Sequence, residues 1–129
     1  MGSGFASWER NTMKQSYQPA QGDIVWVDFD PSKGHEIQKR RPGLVVSTTA
    51  FNRATQFCVI CPITSTIRSY PTHFTLQHYS VQGQVITSQI RSLDYREAAG
   101  RNITFVEKLT KRDLIQVLDL VHYIFDDNG

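Results

Sequence analysis

One stretch near the start of the ordered chain decides the fold, and it reads Gly22-Asp23-Ile24-Val25-Trp26-Val27-Asp28-Phe29-Asp30-Pro31-Ser32-Lys33-Gly34. Residues 24–29 are mostly β-branched or aromatic, which is the composition of a β-strand. Pro31 and Gly34 then interrupt the run, because proline cannot donate a backbone hydrogen bond and glycine favours turns. The stretch therefore predicts a strand that ends in a polar loop.

Downstream of this loop, short apolar runs alternate with turn residues. Five more strands are predicted, at residues 42–47, 56–63, 73–76, 84–90 and 103–106. The run over 56–63 is almost continuously apolar, which is typical of a strand buried on both faces. The strands are short and closely spaced, so an antiparallel sheet is expected.

The last segment of the chain changes from strand to helix spacing. Thr110-Lys111-Arg112-Asp113 resembles a capping box in which Asp113 reaches back to the free amides. Apolar residues then recur at helical spacing, namely Leu114, Val117, Leu118, Val121 and Phe125. This pattern predicts an amphipathic helix over residues 111–125. The predicted fold class is mainly β with α (α+β): a curled, barrel-like antiparallel sheet with a C-terminal helix packed on it.

The length of 129 residues allows one compact domain rather than two. Residues 1–19 are predicted to be a disordered leader, partly expression-derived, because they lack periodicity and contain a possible native start at Met13. Residues 20–126 then form the single domain. No apolar run approaches the ~20 residues of a membrane span, and no signal peptide is recognisable, so a cytoplasmic protein without a membrane partner is expected.

Composition and cysteine spacing indicate a globular protein without a structural zinc site. The chain is 40% hydrophobic and 20% charged with a net charge of +2, which is typical of a globular protein and is compatible with a nucleic-acid partner. Cys58 and Cys61 form a lone C-x-x-C pattern, and no second cysteine pair completes a structural zinc site. Both cysteines lie in an apolar run, so we interpret them as buried hydrophobic residues. No metal or other cofactor is expected.

The loop before the second predicted strand carries most of the candidate chemistry. His35, Glu36 and Arg41 lie between two apolar strands, where rigid elements can position them. RNA cleavage without a metal requires a base for the 2′-hydroxyl, an acid for the leaving oxygen and positive charge for the phosphorane. The three residues satisfy this list, since arginine binds phosphate oxygens in a bidentate manner. On composition alone, however, a solvated charged loop is the favoured interpretation.

Several stretches together carry a family resemblance. They run from Gly22 to Glu36 and through Arg41-Pro42-Gly43-Leu44-Val45-Val46-Ser47, Ala50-Phe51-Asn52-Arg53, Cys61-Pro62-Ile63-Thr64-Ser65 and Gln89-Ile90-Arg91-Ser92-Leu93-Asp94. In their order and spacing over roughly residues 20–125, they resemble the MazF/PemK/Kid family of toxin endoribonucleases.

The resemblance implies a fold, an activity and partners. The expected fold is a small SH3-like antiparallel barrel with helices, and the expected assembly is a homodimer. The expected activity is sequence-specific cleavage of single-stranded messenger RNA without a metal, which leaves a 2′,3′-cyclic phosphate and a 5′-hydroxyl. A cognate antitoxin is expected to neutralise the toxin by laying an acidic C-terminal tail across the RNA groove.

The resemblance also assigns candidate site residues. Arg41 and Thr64 match catalytic positions, Glu36 matches an acidic residue used by some members, and His35 matches a histidine that only some members carry. Glu36 and His35 are alternatives for the general base. The candidate RNA-binding residues are Lys33, Lys39, Arg40, Phe51, Asn52, Ser65, Arg68, Gln89 and Arg91. Trp26 is expected in the core, because tryptophans on strands mostly pack.

Two other functions remain open from the sequence. The same fold supports toxins that inhibit DNA gyrase by binding it, without cleavage chemistry. A plainer alternative is an SH3-like module that binds nucleic acid or peptide through the charged loop. A fold alone does not decide between them, so the site must. The combination of Arg41, Thr64 and Glu36 favours the nuclease.

Overall fold

Seven strands and two helices make up the part of the chain that the computed structural model describes, residues 17–30, 40–96 and 99–127. The strands are β1 (Asp23–Asp28), β2 (Arg40–Val45), β3 (Phe57–Thr64), β4 (His73–Leu76), β5 (Gly83–Ile86), β6 (Arg91–Asp94) and β7 (Thr104–Lys108). The helices are α1 (Thr49–Thr55) and α2 (Lys111–Phe125).

The strands form one antiparallel sheet in the order β4-β5-β3-β2-β1-β7. The long strand β3 is shared, since residues 57–60 pair with β6 and residues 63–64 pair with β5. The sheet curls into a half-barrel, and the helix α2 packs against it through the fully buried Val117. The predicted α+β class, a curled antiparallel sheet with a C-terminal helix, is therefore confirmed.

Two apolar cores lie on opposite faces of the central strands. Ile24 of β1 belongs to the core that packs under α2, whereas its neighbour Val25 belongs to the second core. Cys61 lies in the first core and Cys58 in the second, and both thiols are free. Successive strand residues point to opposite faces of the sheet, so the side chains of Cys58 and Cys61, three residues apart, cannot meet to form a disulfide or to share a metal ion. The interpretation of both cysteines as buried hydrophobic residues is confirmed.

The helix α2 begins where its capping sequence predicts. The hydroxyl of Thr110 accepts a hydrogen bond from the backbone N–H of Asp113 at 3.1 Å. The Asp113 carboxylate does not complete a capping box, because it accepts the Tyr79 hydroxyl instead, at 2.6 Å. Neither helix in the described ranges combines the length and the apolar character that a bilayer crossing requires.

Some predicted boundaries differ from the structure. The predicted strand over 84–90 ends at Ile86, and a turn and then β6 follow it. The short helix α1 was not predicted, because seven residues carry no recognisable apolar stripe. Its N-cap residue is Thr48, whose hydroxyl accepts the Phe51 N–H at 3.1 Å, and its C-cap residue is Gln56, with φ at 64°.

The end of the predicted leader contacts the domain. The Tyr17 hydroxyl donates to the Asp23 carboxylate, and the Asn52 side-chain amide donates to the backbone carbonyl of Pro19 at 3.0 Å. Residues 17–19, which the sequence placed in the leader, therefore lie within the fold. Residues 1–16 lie outside the described part of the chain.

Candidate functional site

A groove of about 940 Å³ lies where β2 begins and β3 ends. It brings together six of the predicted site residues, namely Arg40, Arg41, Thr64, Ser65, Gln89 and Arg91. Of the described charged residues in its lining, three are arginines and one is an aspartate, Asp30. The groove therefore suits an anionic ligand.

Arg41 is exposed at one end of this groove. It is the second residue of β2 and pairs with Val27 of β1, so the pairing of these strands holds its backbone in place. A guanidinium on a paired strand is better fixed than one on a loop, and its planar N–H groups match two phosphate oxygens. Arg41 can therefore bind a phosphate and stabilise charge that develops on it.

Thr64 is the last residue of β3 and lies half-buried in the groove. Its hydroxyl oxygen accepts the backbone N–H of Thr66 at 3.1 Å. A hydroxyl has one hydrogen to donate beyond the lone pairs it uses as an acceptor. The bond to Thr66 thus orients Thr64 and leaves its hydrogen available to a ligand oxygen.

Arg91 and Arg101 are both anchored to the end of β1. Arg91 donates to the carbonyl oxygen of Phe29 at 3.3 Å, and its guanidinium lies 5.6 Å from the centre of the Phe29 ring. Arg101 donates to the same carbonyl at 2.8 Å. The carbonyl carries no net charge, so it does not neutralise Arg91, which lines the groove. Arg101 is outside the lining and interacts with the carboxylate of Asp94. Arg101 was missed in the sequence, where nothing distinguishes it from a solvated arginine.

Arg40 lines the groove and is also tied to the neighbouring strand. Its guanidinium donates to the hydroxyl of Thr104 at 2.6 Å and to the backbone carbonyl of Asn102 at 3.2 Å. These partners are neutral. Arg40 therefore adds to the positive charge of the groove from a fixed position.

Trp26 is not a core residue, contrary to the prediction. Its side chain is 39% exposed and lines the groove, opposite Pro42 in the pairing of β1 with β2. Ile24 lies on the same face two residues earlier and packs in the core. The core ends there, so Trp26 faces the groove instead. An indole ring at this place offers a surface on which a base can stack.

Ser80, Val81 and Gln82 form one wall of the groove. The carboxylate of Glu107 holds this wall, since it accepts the Ser80 hydroxyl at 2.6 Å and the Val81 N–H at 3.0 Å. These bonds help to hold the pKa of Glu107 below its usual value, against the opposing effect of burial. The wall is fastened to β7 and, through Tyr79 and Asp113, to α2.

Three predicted RNA-binding residues do not line the groove. Phe51 on α1 is 41% exposed, and Arg68 is exposed on the loop that follows β3. Asn52 is fully buried, and its side chain is bonded to Ser47 and to the Pro19 carbonyl. Asn52 therefore anchors the N-terminal segment and is removed from the candidate RNA surface.

Four predicted site residues lie outside the described ranges. They are Lys33, His35, Glu36 and Lys39, between Asp30 and Arg40, two residues that line the groove. Among the residues that the structure does describe, no cluster of three His, Cys, Asp or Glu side chains is arranged to hold a metal ion.

Known proteins resemble this chain in sequence. Residues 20–125 match the family described as PemK-like, MazF-like toxin of type II toxin-antitoxin system. The endoribonuclease toxin MazF of Escherichia coli K12 is 36% identical over 84 residues, which are 65% of this chain and 76% of that protein. The endoribonuclease PemK of Escherichia coli is 28% identical over 117 residues, 87% of this chain and 88% of that protein.

Solved structures resemble the fold over most of its length. MazF from Deinococcus radiodurans superposes with a TM-score of 0.72 at 35% identity, covering 85% of this chain and 98% of that chain. A MazE–MazF structure from the same organism gives a TM-score of 0.73 at 30% identity, with 86% and 98% covered. The chain therefore belongs to the PemK-like, MazF-like toxins of type II toxin–antitoxin systems, whose relatives named above are endoribonucleases.

Proposed function

We propose that this endoribonuclease toxin cuts single-stranded RNA in the groove between β2 and β3, without a metal ion, and leaves a 2′,3′-cyclic phosphate and a 5′-hydroxyl. The observation that carries the proposal is that Arg41 and Thr64 line the same groove although they are distant in sequence. One supplies a fixed positive charge and the other an oriented hydroxyl. Both are needed where a phosphorane forms.

The reaction is a transesterification at phosphorus. The ribose 2′-oxygen loses its proton to a base and bonds to phosphorus, while the bond from phosphorus to the 5′-oxygen breaks. The departing oxygen takes a proton, so the charge is balanced. In this proposal Arg41 binds the two non-bridging oxygens as negative charge grows on them, and it also supplies the proton to the leaving oxygen.

Thr64 donates its hydroxyl hydrogen to a non-bridging oxygen or to the 2′-oxygen, and it does not attack. The bond that it accepts from Thr66 supports this role, because it leaves the hydroxyl hydrogen pointing away from the chain's own amide. The general base is Glu36 or His35. Both lie between Asp30 and Arg40, and substitution of each is required to choose between them.

The positive lining supports RNA and antitoxin as ligands of one groove. Arg40, Arg41 and Arg91 converge on it, and Ser65 and Gln89 add polar groups that can bind phosphate or base edges. Lys33, Lys39, Phe51 and Arg68 extend the proposed RNA surface beyond it. An acidic antitoxin tail would compete with RNA for the same arginines, and a solved relative is a MazE–MazF complex. Cleavage of messenger RNA places the proposed activity in the cytoplasm.

We also propose that the toxin is a homodimer. The end of α2 leaves Tyr123 66% and Phe125 72% exposed, and Ile115 on the same helix is 51% exposed. Large apolar side chains at these positions favour burial against a partner. Sedimentation or light scattering of the purified protein tests this assembly.

The decisive experiment compares the wild type with Arg41→Ala on a mixed single-stranded RNA in the presence of EDTA. Arg41→Ala should lower kcat by about 10²–10³, the size of effect seen when one group that stabilises a transition-state oxyanion is removed. Arg53→Ala is the matched control, because Arg53 is an exposed arginine on α1 away from the groove. Its cleavage rate should equal that of the wild type.

The outcomes separate the competing functions. Products with cyclic phosphate ends and resistance to EDTA support the proposed chemistry. Cleavage that EDTA abolishes contradicts the metal-free mechanism. Arrest of host growth by a wild-type protein that cuts no RNA favours a toxin that binds DNA gyrase.

A further inference from the structure

The loop from Ser65 to Thr72, which joins β3 to β4, is held at three points. At its start, the backbone N–H of Thr66 donates to the Thr64 hydroxyl. At its end, the carbonyl of Thr72 accepts the hydroxyl of Thr87 at 2.6 Å, and Thr87 is fully buried. A loop fixed at both ends and in the middle presents its side chains in one arrangement.

The middle of the loop is held by Gln84 of β5, whose side chain is only 3% exposed. Its carbonyl oxygen accepts the Arg68 N–H, and its amide donates to the Arg68 carbonyl, both at 3.0 Å. The same amide donates to the Thr75 hydroxyl at 3.0 Å, and Nδ1 of His73 lies 3.0 Å from the amide oxygen. The Gln84 side chain therefore bonds both backbone groups of Arg68, as a neighbouring strand would in a sheet.

Gln84 also lies beside the proposed catalytic threonine. In the sheet it pairs with Thr64 of β3 on one side and with Thr75 of β4 on the other. Its neighbour Gly83 packs directly on the backbone carbonyl of Thr64. Gln84 thus links the middle of the loop, at Arg68, to the end of β3 that carries Thr64.

The side chains that this loop presents are suited to single-stranded RNA. Ile67 is 62% and Tyr70 57% exposed, and the Arg68 side chain is exposed between them. The rings of Tyr70 and His73 meet edge to face, with ring centres 5.0 Å apart, so the tyrosine ring is supported on one side. A supported aromatic beside a cation is a platform for an unpaired base and its phosphate.

We propose that Gln84 is a positioning residue that fixes the loop from Ser65 to Thr72 as the element that selects the RNA sequence flanking the cleaved bond. This inference rests on the proposed function of the groove. Gln84 itself touches no substrate. It acts by holding Arg68, and with it Tyr70, at a set distance from Thr64.

The test uses Gln84→Met, which keeps the length of the side chain and removes all of its hydrogen bonds. Trypsin reports directly on the loop, because Arg68 is a cleavage site whose N–H and carbonyl are both bonded in the native protein. Loss of these bonds should raise the rate of cleavage after Arg68 about tenfold. Thr87→Val removes only the side-chain bond to the Thr72 carbonyl and keeps the backbone bond from the Thr87 N–H, so it should raise the rate by a smaller factor.

The second readout is RNA cleavage itself. Gln84→Met should raise KM about tenfold and spread cleavage over more sites on a mixed RNA, while kcat stays within about threefold of wild type. Val117→Ala is the control for lost stability, because it opens a cavity in the core under α2. It should leave the set of cleaved sites unchanged.

Two results would overturn the inference. One is an unchanged rate of tryptic cleavage after Arg68 in Gln84→Met. The other is faster tryptic cleavage after Arg68 in Gln84→Met while its KM for RNA and its set of cleaved RNA sites equal those of the Val117→Ala control. A wild type that cuts no RNA contradicts the proposed function but not the role of Gln84. In that case the variants are compared by their affinity for an uncleavable 2′-deoxy oligonucleotide. Equal affinity of Gln84→Met and the control would overturn the inference in that case.

Discussion

Gly83 lies against Thr64 so closely that a Cβ at position 83 would be 2.1 Å from the Thr64 carbonyl oxygen. The φ angle of Gly83 is also +127°, a conformation that side chains disfavour. Strand β5 can therefore approach the end of β3 only because residue 83 has no side chain. The position of the proposed catalytic hydroxyl of Thr64 therefore depends on Gly83, which has no functional group.

Replacing Gly83 with alanine should damage both stability and catalysis. The added methyl group must push the Thr64 carbonyl away, so the free energy of unfolding should fall by about 3 kcal/mol or more and kcat by at least about tenfold. Gly100→Ala is the control, since Gly100 has φ +75° but open space around its Cβ position. It should cost only about 1–2 kcal/mol and leave kcat unchanged. Equal effects of the two variants in denaturation and cleavage assays would contradict the close contact as the cause.

Thr64→Val separates the hydroxyl from the shape of its side chain. Valine fills the same volume but neither donates to substrate nor accepts the Thr66 N–H, so kcat should fall about 10²-fold with a small change in Tm. Thr64→Ser keeps the hydroxyl and should stay within about tenfold of wild type. If serine and valine lose the same activity, the hydroxyl is not the group that matters.

Trp26 should report on RNA entering the groove. Binding of an uncleavable 2′-deoxy oligonucleotide should quench its fluorescence, because a stacked base replaces water on the indole ring. The measurement is made in a Trp8→Phe background, since the chain has two tryptophans and Trp8 lies outside the described residues. Trp26→Ala should raise KM about tenfold, as expected for one lost stack. Unchanged fluorescence at saturating oligonucleotide would remove Trp26 from the RNA surface.

The buried thiols should make the fold sensitive to alkali. Burial raises the pKa of Cys58 and of Cys61 from 9.0 to about 12. Above pH 9 the thiols ionise in the unfolded chain but stay protonated in the folded one, so unfolding releases protons. The free energy of unfolding should therefore fall between about pH 9 and pH 12, by at most about 1.4 kcal/mol per pH unit for each thiol.

Denaturant titrations of Cys61→Val isolate one thiol from other groups that ionise in this range. The variant should lose stability with pH less steeply than wild type, by the share of one thiol. Ile63→Val is the control, because it changes the same core without removing a titrating group. Parallel curves for wild type and Cys61→Val would contradict the raised pKa as the source.

Sequence patterns were informative where one local rule decides the structure. The apolar run of β1 and the Thr110 cap of α2 behave as their residues predict, because strand composition and helix capping are local properties. Trp26 was wrongly predicted to lie in the core. The alternation of strand side chains places it on the same face as Ile24, but it does not show where the core on that face ends. That limit is set by neighbouring strands far along the chain.

The candidate site shows the same division. The resemblance placed Arg41 and Thr64 together, and the groove brings them together through the pairing of β2 with β3. Asn52 was predicted to bind RNA, and its burial could not be foreseen, because a helix of seven residues leaves no periodic signal and because the side chain is bonded to the N-terminal segment. Arg101 and Gln84 were not predicted, because their roles come from partners more than ten residues away.

The hydrogen bonds of Ser80 and Val81 to Glu107, and of Tyr79 to Asp113, bear on the order in which the groove is completed during synthesis. Glu107 and Asp113 come after every groove residue in the chain, so they leave the ribosome later than the wall that they hold. A nascent chain that has made Arg41 and Thr64 still lacks one fastened side of its groove. A chain that ended before Glu107 would therefore keep the described lining residues of the groove but lose the bonds that hold this wall.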